Sequence, residues 1–222
     1  MTTNALAVSA HYPTSIERRV DQWVHLVGLG FAFAGGGVLL GLSIGFGTLG
    51  QVASVAIYGL CLALMFLFSI LYNMGNPRHQ PVLRRLDHAG IFLMIAGSYT
   101  PFTTQSLEGA WAIGMTTAVW SIALLGVAGK LFLPGLGKGF WVAIYLALGW
   151  IAVIAIGPLV EGVSLAGMIL LGVGGVIYSA GVVFYVRKSL KFRRAIWHGF
   201  VLVAAGTHYA AIMTGVVLFN RA

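Results

Sequence analysis

Long apolar stretches alternate with short polar segments along almost the whole of this 222-residue chain. Each apolar stretch has about 20 residues or slightly more, which lets an α-helix cross the ~30 Å hydrocarbon core of a bilayer at ~1.5 Å per residue. The pattern predicts seven transmembrane helices, at about residues 22–44, 51–73, 87–106, 111–132, 139–160, 163–185 and 195–219. The polar and small residues of segment 1–15 predict a flexible N-terminal segment ahead of these helices.

The composition narrows the class of protein. Hydrophobic residues make up 59% of the chain and charged residues 8%, whereas soluble domains carry about 25% charged residues. The mean hydropathy is +0.94. We therefore expect an all-α, polytopic membrane protein in which residues 16–222 form one seven-helix transmembrane domain.

The basic residues divide unequally between the two sides of the predicted bundle. Twelve of the thirteen Lys and Arg residues lie on the side of the N-terminus, and only Arg221 lies on the other side. By the positive-inside rule, the N-terminus is cytoplasmic and the C-terminus is outside. Because the basic residues sit in short loops between apolar segments, they indicate contacts with anionic lipid headgroups rather than with nucleic acid. Membrane lipids are therefore the expected partners.

Polar side chains collect at the cytoplasmic ends of four predicted helices. Residues four positions apart share one face of a helix, and this spacing recurs in the first, second and seventh helices. An acidic residue opens the third helix, although carboxylates are costly inside a membrane and tend to face the bundle interior. The resulting cluster predicts a single polar cavity that opens to the cytoplasm and binds a lipid; its members are Glu17, Asp21, His25, Ser69, Asn73, Asp87, Arg194 and His198.

Four stretches of the sequence carry a family resemblance. They are ERRVDQWVHLVG from residue 17, FSILYN from 68, RRLDHAGIFLMIAGSYTPF from 84 and AIWHGFVLVAAGTH from 195. Together they resemble the bacterial hemolysin III family, which belongs to the wider progestin and adipoQ receptor superfamily with alkaline ceramidases as relatives. The resemblance implies a seven-helix bundle with a cytoplasmic N-terminus, in the bacterial inner (plasma) membrane. The family name also implies cytolysis, but no residues in this sequence indicate pore formation.

The resemblance also implies a zinc site. Its pattern is Ser-x3-His on the second helix, Asp at the start of the third and His-x3-His on the seventh, and relatives use the zinc-bound water to hydrolyse lipid amides. Ser69, Asp87 and His198 match this pattern, but Asn73 and Arg194 stand at the other two histidine positions. Asn is a weak zinc ligand and Arg has no lone pair to offer, so these replacements argue against a bound zinc.

Two functional hypotheses follow. In the first, the metal-free site of a hemolysin III-like protein is kept for membrane homeostasis or lipid binding. In the second, the protein is a zinc-dependent lipid amide hydrolase with an altered ligand set, in which Asp21 or His25 joins His198 and the catalytic residues are Ser69 and Asp87. A transporter is disfavoured, because the sequence predicts no pair of broken helices at the bilayer centre.

The first hypothesis makes a specific electrostatic prediction. A carboxylate buried without a cation is destabilised by several kcal/mol or takes up a proton. In the relatives the metal supplies that positive charge. Arg194, at the replaced ligand position, is expected to supply it here by pairing with Asp87 and to donate a hydrogen bond to Asn73.

Overall fold

Helices account for nearly all of the structure. The computed structural model describes residues 12–133 and 135–219, and within these residues it contains no β-strand. Short 3₁₀ segments cover Pro77–His79 and Ile151–Ala155, and a π-helical turn covers Met213–Val217. The α-helices are α1 (Ser15–Phe46), α2 (Leu49–Met74), α3 (Gln80–Gln105), α4 (Gly109–Phe132), α5 (Lys138–Gly149), α6 (Ile156–Gly162), α7 (Leu165–Val186) and α8 (Arg193–Ile212).

The first helix begins earlier than the apolar pattern predicts. The sequence Thr14-Ser15-Ile16-Glu17 has the form of a capping box, and the hydroxyl of Thr14 accepts a hydrogen bond from the backbone N–H of Glu17 at 3.2 Å. At 32 residues, α1 is ~48 Å long and extends beyond the ~30 Å hydrocarbon core. Of the segment predicted to be flexible, residues 1–11 lie outside the described residues, whereas Tyr12 is described and buried.

The fifth apolar segment is interrupted, although the sequence predicts one continuous helix over 139–160. The α-helix α5 ends at Gly149, and a 3₁₀ segment leads into α6. Pro158 has no backbone N–H to offer the preceding turn. The hydroxyl of Tyr99 forms hydrogen bonds with the backbone at the interruption. It donates to the carbonyl of Gly149 at 2.7 Å and accepts from the N–H of Ala152 at 3.0 Å. Such pairing is what permits irregular backbone at membrane depth.

Among the described residues, six segments are long and apolar enough to cross a membrane: α1, α2, α4, the stretch from α5 to α6, α7 and the stretch from α8 through the π turn. By the same criteria α3 is not among them, although it has 26 residues. It packs against both α2 and α4, and much of its surface is buried by these neighbours. A helix shielded from lipid in this way tolerates Asp87, His88 and several hydroxyl side chains.

The helices form a ring in which α5 stands apart. Neighbouring pairs are α4–α3, α3–α2, α2–α1, α1–α8 and α8–α7, and α5 approaches its neighbours less closely than these pairs approach one another. The helices α7 and α8 approach each other closely at Gly174, where a Cβ atom would come within 2.2 Å of the His208 ring. We call the end of the bundle at which α1, α3, α5 and α8 begin the basic end.

Candidate functional site

Asp21 lies at the centre of a polar cluster near the basic end. Its side chain has 0% exposure, and both carboxylate oxygens are occupied. Oδ1 accepts a hydrogen bond from Nδ1 of His198 at 2.6 Å, and Oδ2 accepts one from the hydroxyl of Tyr12. Because α1 and α8 pack side by side, this carboxylate joins two helices that are far apart in the sequence.

His25 extends the cluster from α1 to α2. One turn after Asp21, its Nδ1 is 2.8 Å from the Asp21 carbonyl oxygen. A carbonyl only accepts, so Nδ1 carries the proton, and in neutral His25 Nε2 accepts from the hydroxyl of Ser69 at 3.0 Å. The rings of His25 and His198 meet edge to face, with centroids 4.3 Å apart.

The two residues at the replaced ligand positions bind each other. Nη1 of Arg194 donates to Oδ1 of Asn73 at 2.8 Å, as the sequence predicted. The amide nitrogen of Asn73 donates to the carbonyl of Ser69 at 2.9 Å. The network therefore runs from Arg194 through Asn73 and Ser69 to His25, and it places a guanidinium group where the family pattern has a histidine.

The predicted ion pair between Arg194 and Asp87 is not formed among the described residues. Both ion pairs found there within 4.0 Å contain Asp21, whose partners are His25 and His198. Asp87 is half-buried on the wall of a cavity, where the charge of Lys130 is a neighbour. Asn73, one helix closer to Arg194, takes the guanidinium hydrogen bond instead.

Glu17 does not join the cluster, although it shares a helix face with Asp21. It lies in the first turn of α1, and among the described residues its carboxylate makes no hydrogen bond or ion pair. The early start of α1 explains this placement, since the first turn extends beyond the packed part of the bundle. A carboxylate there is stabilised by the dipole at the helix N-terminus.

Sequence reasoning missed Tyr12, because it lies in the segment predicted to be flexible. Its side chain is 2% exposed, and its ring centroid is 5.6 Å from Cζ of Arg194. Burial, followed by the nearby charge of Asp21, raises the pKa of its hydroxyl far above the ordinary value of 10. The capping box was the available signal, because it places Thr14, the N-cap of α1, two residues after an aromatic side chain.

Six of the eight predicted site residues line one cavity of about 610 Å³. Pockets for small molecules usually have volumes of about 300–1,000 Å³. The cavity reaches the exposed side chains of Arg84 and Lys188 at the basic end and extends inward to His208. Asp21 and Glu17 are outside the lining, and the six that contribute to it are His25, Ser69, Asn73, Asp87, Arg194 and His198.

Two sets of residues differ in their fit to a metal ion. The set implied by the family pattern does not fit, because Arg194 is a cation without a lone pair. Asp21, His25 and His198 do fit in donor type: one ligand atom from each lies within 4.8 Å of the others. Two imidazoles and a carboxylate form a known ligand set of catalytic zinc sites.

The family relationship is shown by comparison with known proteins. The family model described as "Haemolysin-III related" matches residues 15–209. The chain belongs to the haemolysin-III related family. The match includes every member of the polar cluster except Tyr12.

Individual relatives agree with this assignment. The Hemolysin-3 homolog of Bacillus subtilis (strain 168) is 34% identical over 169 residues, which cover 76% of this chain and 79% of that protein. Hemolysin-3 of Bacillus cereus is 33% identical over 168 residues, covering 75% and 77%. The human monocyte to macrophage differentiation factor, of the progestin and adipoQ receptor group, is 27% identical over 220 residues, covering 96% and 90%.

Proposed function

We propose that this haemolysin-III related protein binds a membrane lipid in the cavity beside its polar cluster and that the cluster works without a metal. The hydrogen bond between Arg194 and Asn73 carries the proposal. It places a permanent positive charge, 2.8 Å from its partner, at a position that the family pattern reserves for a zinc ligand. The cluster then acts as a hydrogen-bonded polar wall beside the bound lipid, in the service of membrane homeostasis.

The proposed topology is a seven-helix bundle in the bacterial inner membrane, with a cytoplasmic N-terminus. The helix α3 is the seventh spanning segment, because 26 residues extend ~39 Å and exceed the ~30 Å core. The positive-inside rule supports this orientation, and Bacillus relatives support the bacterial membrane. In this arrangement the cavity opens to the cytoplasm.

Zinc-dependent hydrolysis of a lipid amide is the second candidate function, and the spacing of Asp21, His25 and His198 favours it. These three residues would hold the metal, which supplies a water of lowered pKa when it is bound. Because Nδ1 of His25 donates to the Asp21 carbonyl, Nε2 would be its ligand atom, and the hydroxyl of Ser69 would give up its hydrogen bond to that nitrogen. Asp87, on the wall of the same cavity, would accept a proton from the attacking water.

Elemental analysis of the purified protein separates the two candidates. We expect clearly less than one zinc per chain in the wild type. The double variant Asn73→His/Arg194→His restores the family pattern and is expected to gain zinc, and adding His198→Ala to it should abolish that gain. Stoichiometric zinc in the wild type would refute the metal-free proposal, and its loss in Asp21→Asn would support the hydrolase.

Lipid binding is tested by mass spectrometry of lipids that remain with the protein in mild detergent. We expect a bound lipid in the wild type. Val201 lines the cavity, so Val201→Trp should fill the space and release the lipid. Val203, two residues along α8, is 57% exposed on the outer face, so Val203→Trp is the matched control and should keep it. Equal lipid retention in both variants would refute a lipid in the cavity.

A further inference from the structure

We propose that the cavity selects an amphiphile with an anionic headgroup, which six basic side chains hold at the cavity opening while the apolar chain lies inside. This inference rests on the proposed lipid-binding function and adds the chemical class of the ligand. The six residues, which we call the rim cations, are Arg84, Arg85, Lys130, Lys138, Lys188 and Arg193.

The rim cations come from different parts of the chain and meet only in the folded bundle. They belong to the start of α3, the end of α4, the start of α5, the loop after α7 and the start of α8. Of the carboxylates in the described part of the chain, only that of Asp87 lines the cavity with them. The opening therefore carries a strong excess of positive charge. The low-dielectric walls around it concentrate the electric field of this charge in the opening.

Topology alone does not account for this arrangement. The positive-inside rule places basic residues on one side of a membrane, but it does not decide which of them face a cavity. Five other basic residues on the same side do not line it, namely Arg18, Arg19, Arg78, Arg187 and Lys191. This second group provides matched controls for the rim cations.

The contacts of the rim cations leave most of their charge uncompensated. Arg85 donates to the carbonyl of Leu131 at 2.9 Å, the ammonium of Lys130 lies 4.2 Å from the centre of a Trp141 ring, and that of Lys138 lies 3.6 Å from the centre of the Tyr185 ring. These partners are neutral. Within the described residues, no rim cation has a carboxylate within 4.0 Å, so an incoming anion meets unbalanced positive charge.

The interior of the cavity suits an apolar chain. Arg84 at the opening and Ser98 at the inner end both lie on α3 and both line the cavity, and fourteen residues of helix separate them by ~21 Å. One leaflet of the hydrocarbon core is ~15 Å deep. The wall between these levels includes Met65, Met94 and Ile95. A charged head at the rim and a hydrocarbon chain beneath it match the two ends of the cavity.

Phosphate and carboxylate headgroups share the chemistry that the rim recognises, and the experiment separates them. The wild-type protein in neutral detergent is titrated with four single-chain lipids that carry the same brominated acyl chain. They are a lysophosphatidic acid, a free fatty acid, a lysophosphatidylcholine and a monoacylglycerol. Bromine quenches tryptophan fluorescence on contact, and Trp141, Trp150 and Trp197 line the cavity.

We expect at least one anionic lipid to bind roughly tenfold more tightly than the zwitterionic and neutral lipids. This preference should shrink as the salt concentration rises. Tighter binding of the lysophosphatidic acid would identify a phosphate headgroup, and tighter binding of the fatty acid a carboxylate. Equal binding of all four lipids would refute the anionic selectivity but leave the proposed lipid binding intact. Quenching by none of them would refute both.

Paired variants test whether the rim cations carry the selectivity. Arg84→Gln/Lys130→Gln should weaken anionic binding roughly tenfold and leave binding of the monoacylglycerol unchanged, which also reports an intact fold. Arg78→Gln/Arg187→Gln removes the same charge from the same side and should change neither. If the first pair does not fold, Lys188→Gln and its control Lys191→Gln, both exposed, replace it. An equal loss in variant and control would show general surface attraction and overturn the proposal.

Discussion

Removing the guanidinium of Arg194 tests which side chain it binds. Arg194→Met keeps most of the apolar stem and deletes the charge, so the loss of stability reports mainly the guanidinium contacts. In the structure the contact is with Asn73, at 2.8 Å, rather than with Asp87. A double-mutant cycle isolates each pairwise interaction from the other effects of the substitutions.

The expected magnitude follows from the geometry of the contact. A hydrogen bond to a charged group contributes about 1.5–3 kcal/mol, and breaking a buried ion pair costs about 3–5 kcal/mol. Arg194 is half-buried, so its bond belongs at the lower end of the first range. We therefore expect a coupling of about 1.5–2 kcal/mol between Arg194→Met and Asn73→Ala, and a coupling near zero between Arg194→Met and Asp87→Asn.

The assay is reversible unfolding in mixed detergent micelles, with the free energy of unfolding measured for the wild type, the three single variants and the two double variants. The same micelle composition is used throughout, because the reference state depends on it. A coupling of Arg194 to Asp87 that equals or exceeds its coupling to Asn73 would refute the assigned hydrogen bond. It would restore the ion pair that the sequence alone predicts.

Three further predictions use the same material. Tyr99→Phe should lower the free energy of unfolding by about 2–4 kcal/mol, because two backbone groups at the helix interruption lose their partner. The control is Tyr178→Phe, since the hydroxyl of Tyr178 has no partner among the described residues, and it should stay within about 1 kcal/mol of the wild type. Equal losses in the two variants would contradict the role of Tyr99 as the hydrogen-bond partner of the interrupted backbone. Tyr12→Phe should cost about 1.5–3 kcal/mol through its bond to the Asp21 carboxylate, and a neutral effect would show that this bond does not matter. A periplasm-active reporter fused after Ala222 should be active and one inserted at residues 75–79 inactive; the reverse result would overturn the proposed orientation.

Much of the polar cluster could be predicted from the sequence. Three pairs of residues on one helix face could be predicted, because the repeat of a helix depends only on positions close in sequence. These pairs, each four positions apart, are Asp21 and His25, Ser69 and Asn73, and Arg194 and His198. The hydropathy pattern predicts where the long helices lie along the chain, and alternating direction then brings the pairs to one end of the bundle. The hydrogen bond from Arg194 to Asn73 is also confirmed. The pairs on one helix face and the apolar pattern are predictable because neighbours along the chain determine them.

Tertiary structure decided which carboxylate holds His198, which partner Arg194 takes and where the chain leaves regular helix. Both Asp21 and Asp87 lie at the basic end, but helix packing puts α1 against α8, so Asp21 receives the histidine. Tyr12 reaches the site only because the capped start of α1 turns the chain back over the bundle. The interruption after Gly149 persists because Tyr99, fifty residues away, satisfies its backbone. Each of these outcomes depends on the relative positions and rotations of helices that are distant in sequence, which local periodicity does not encode.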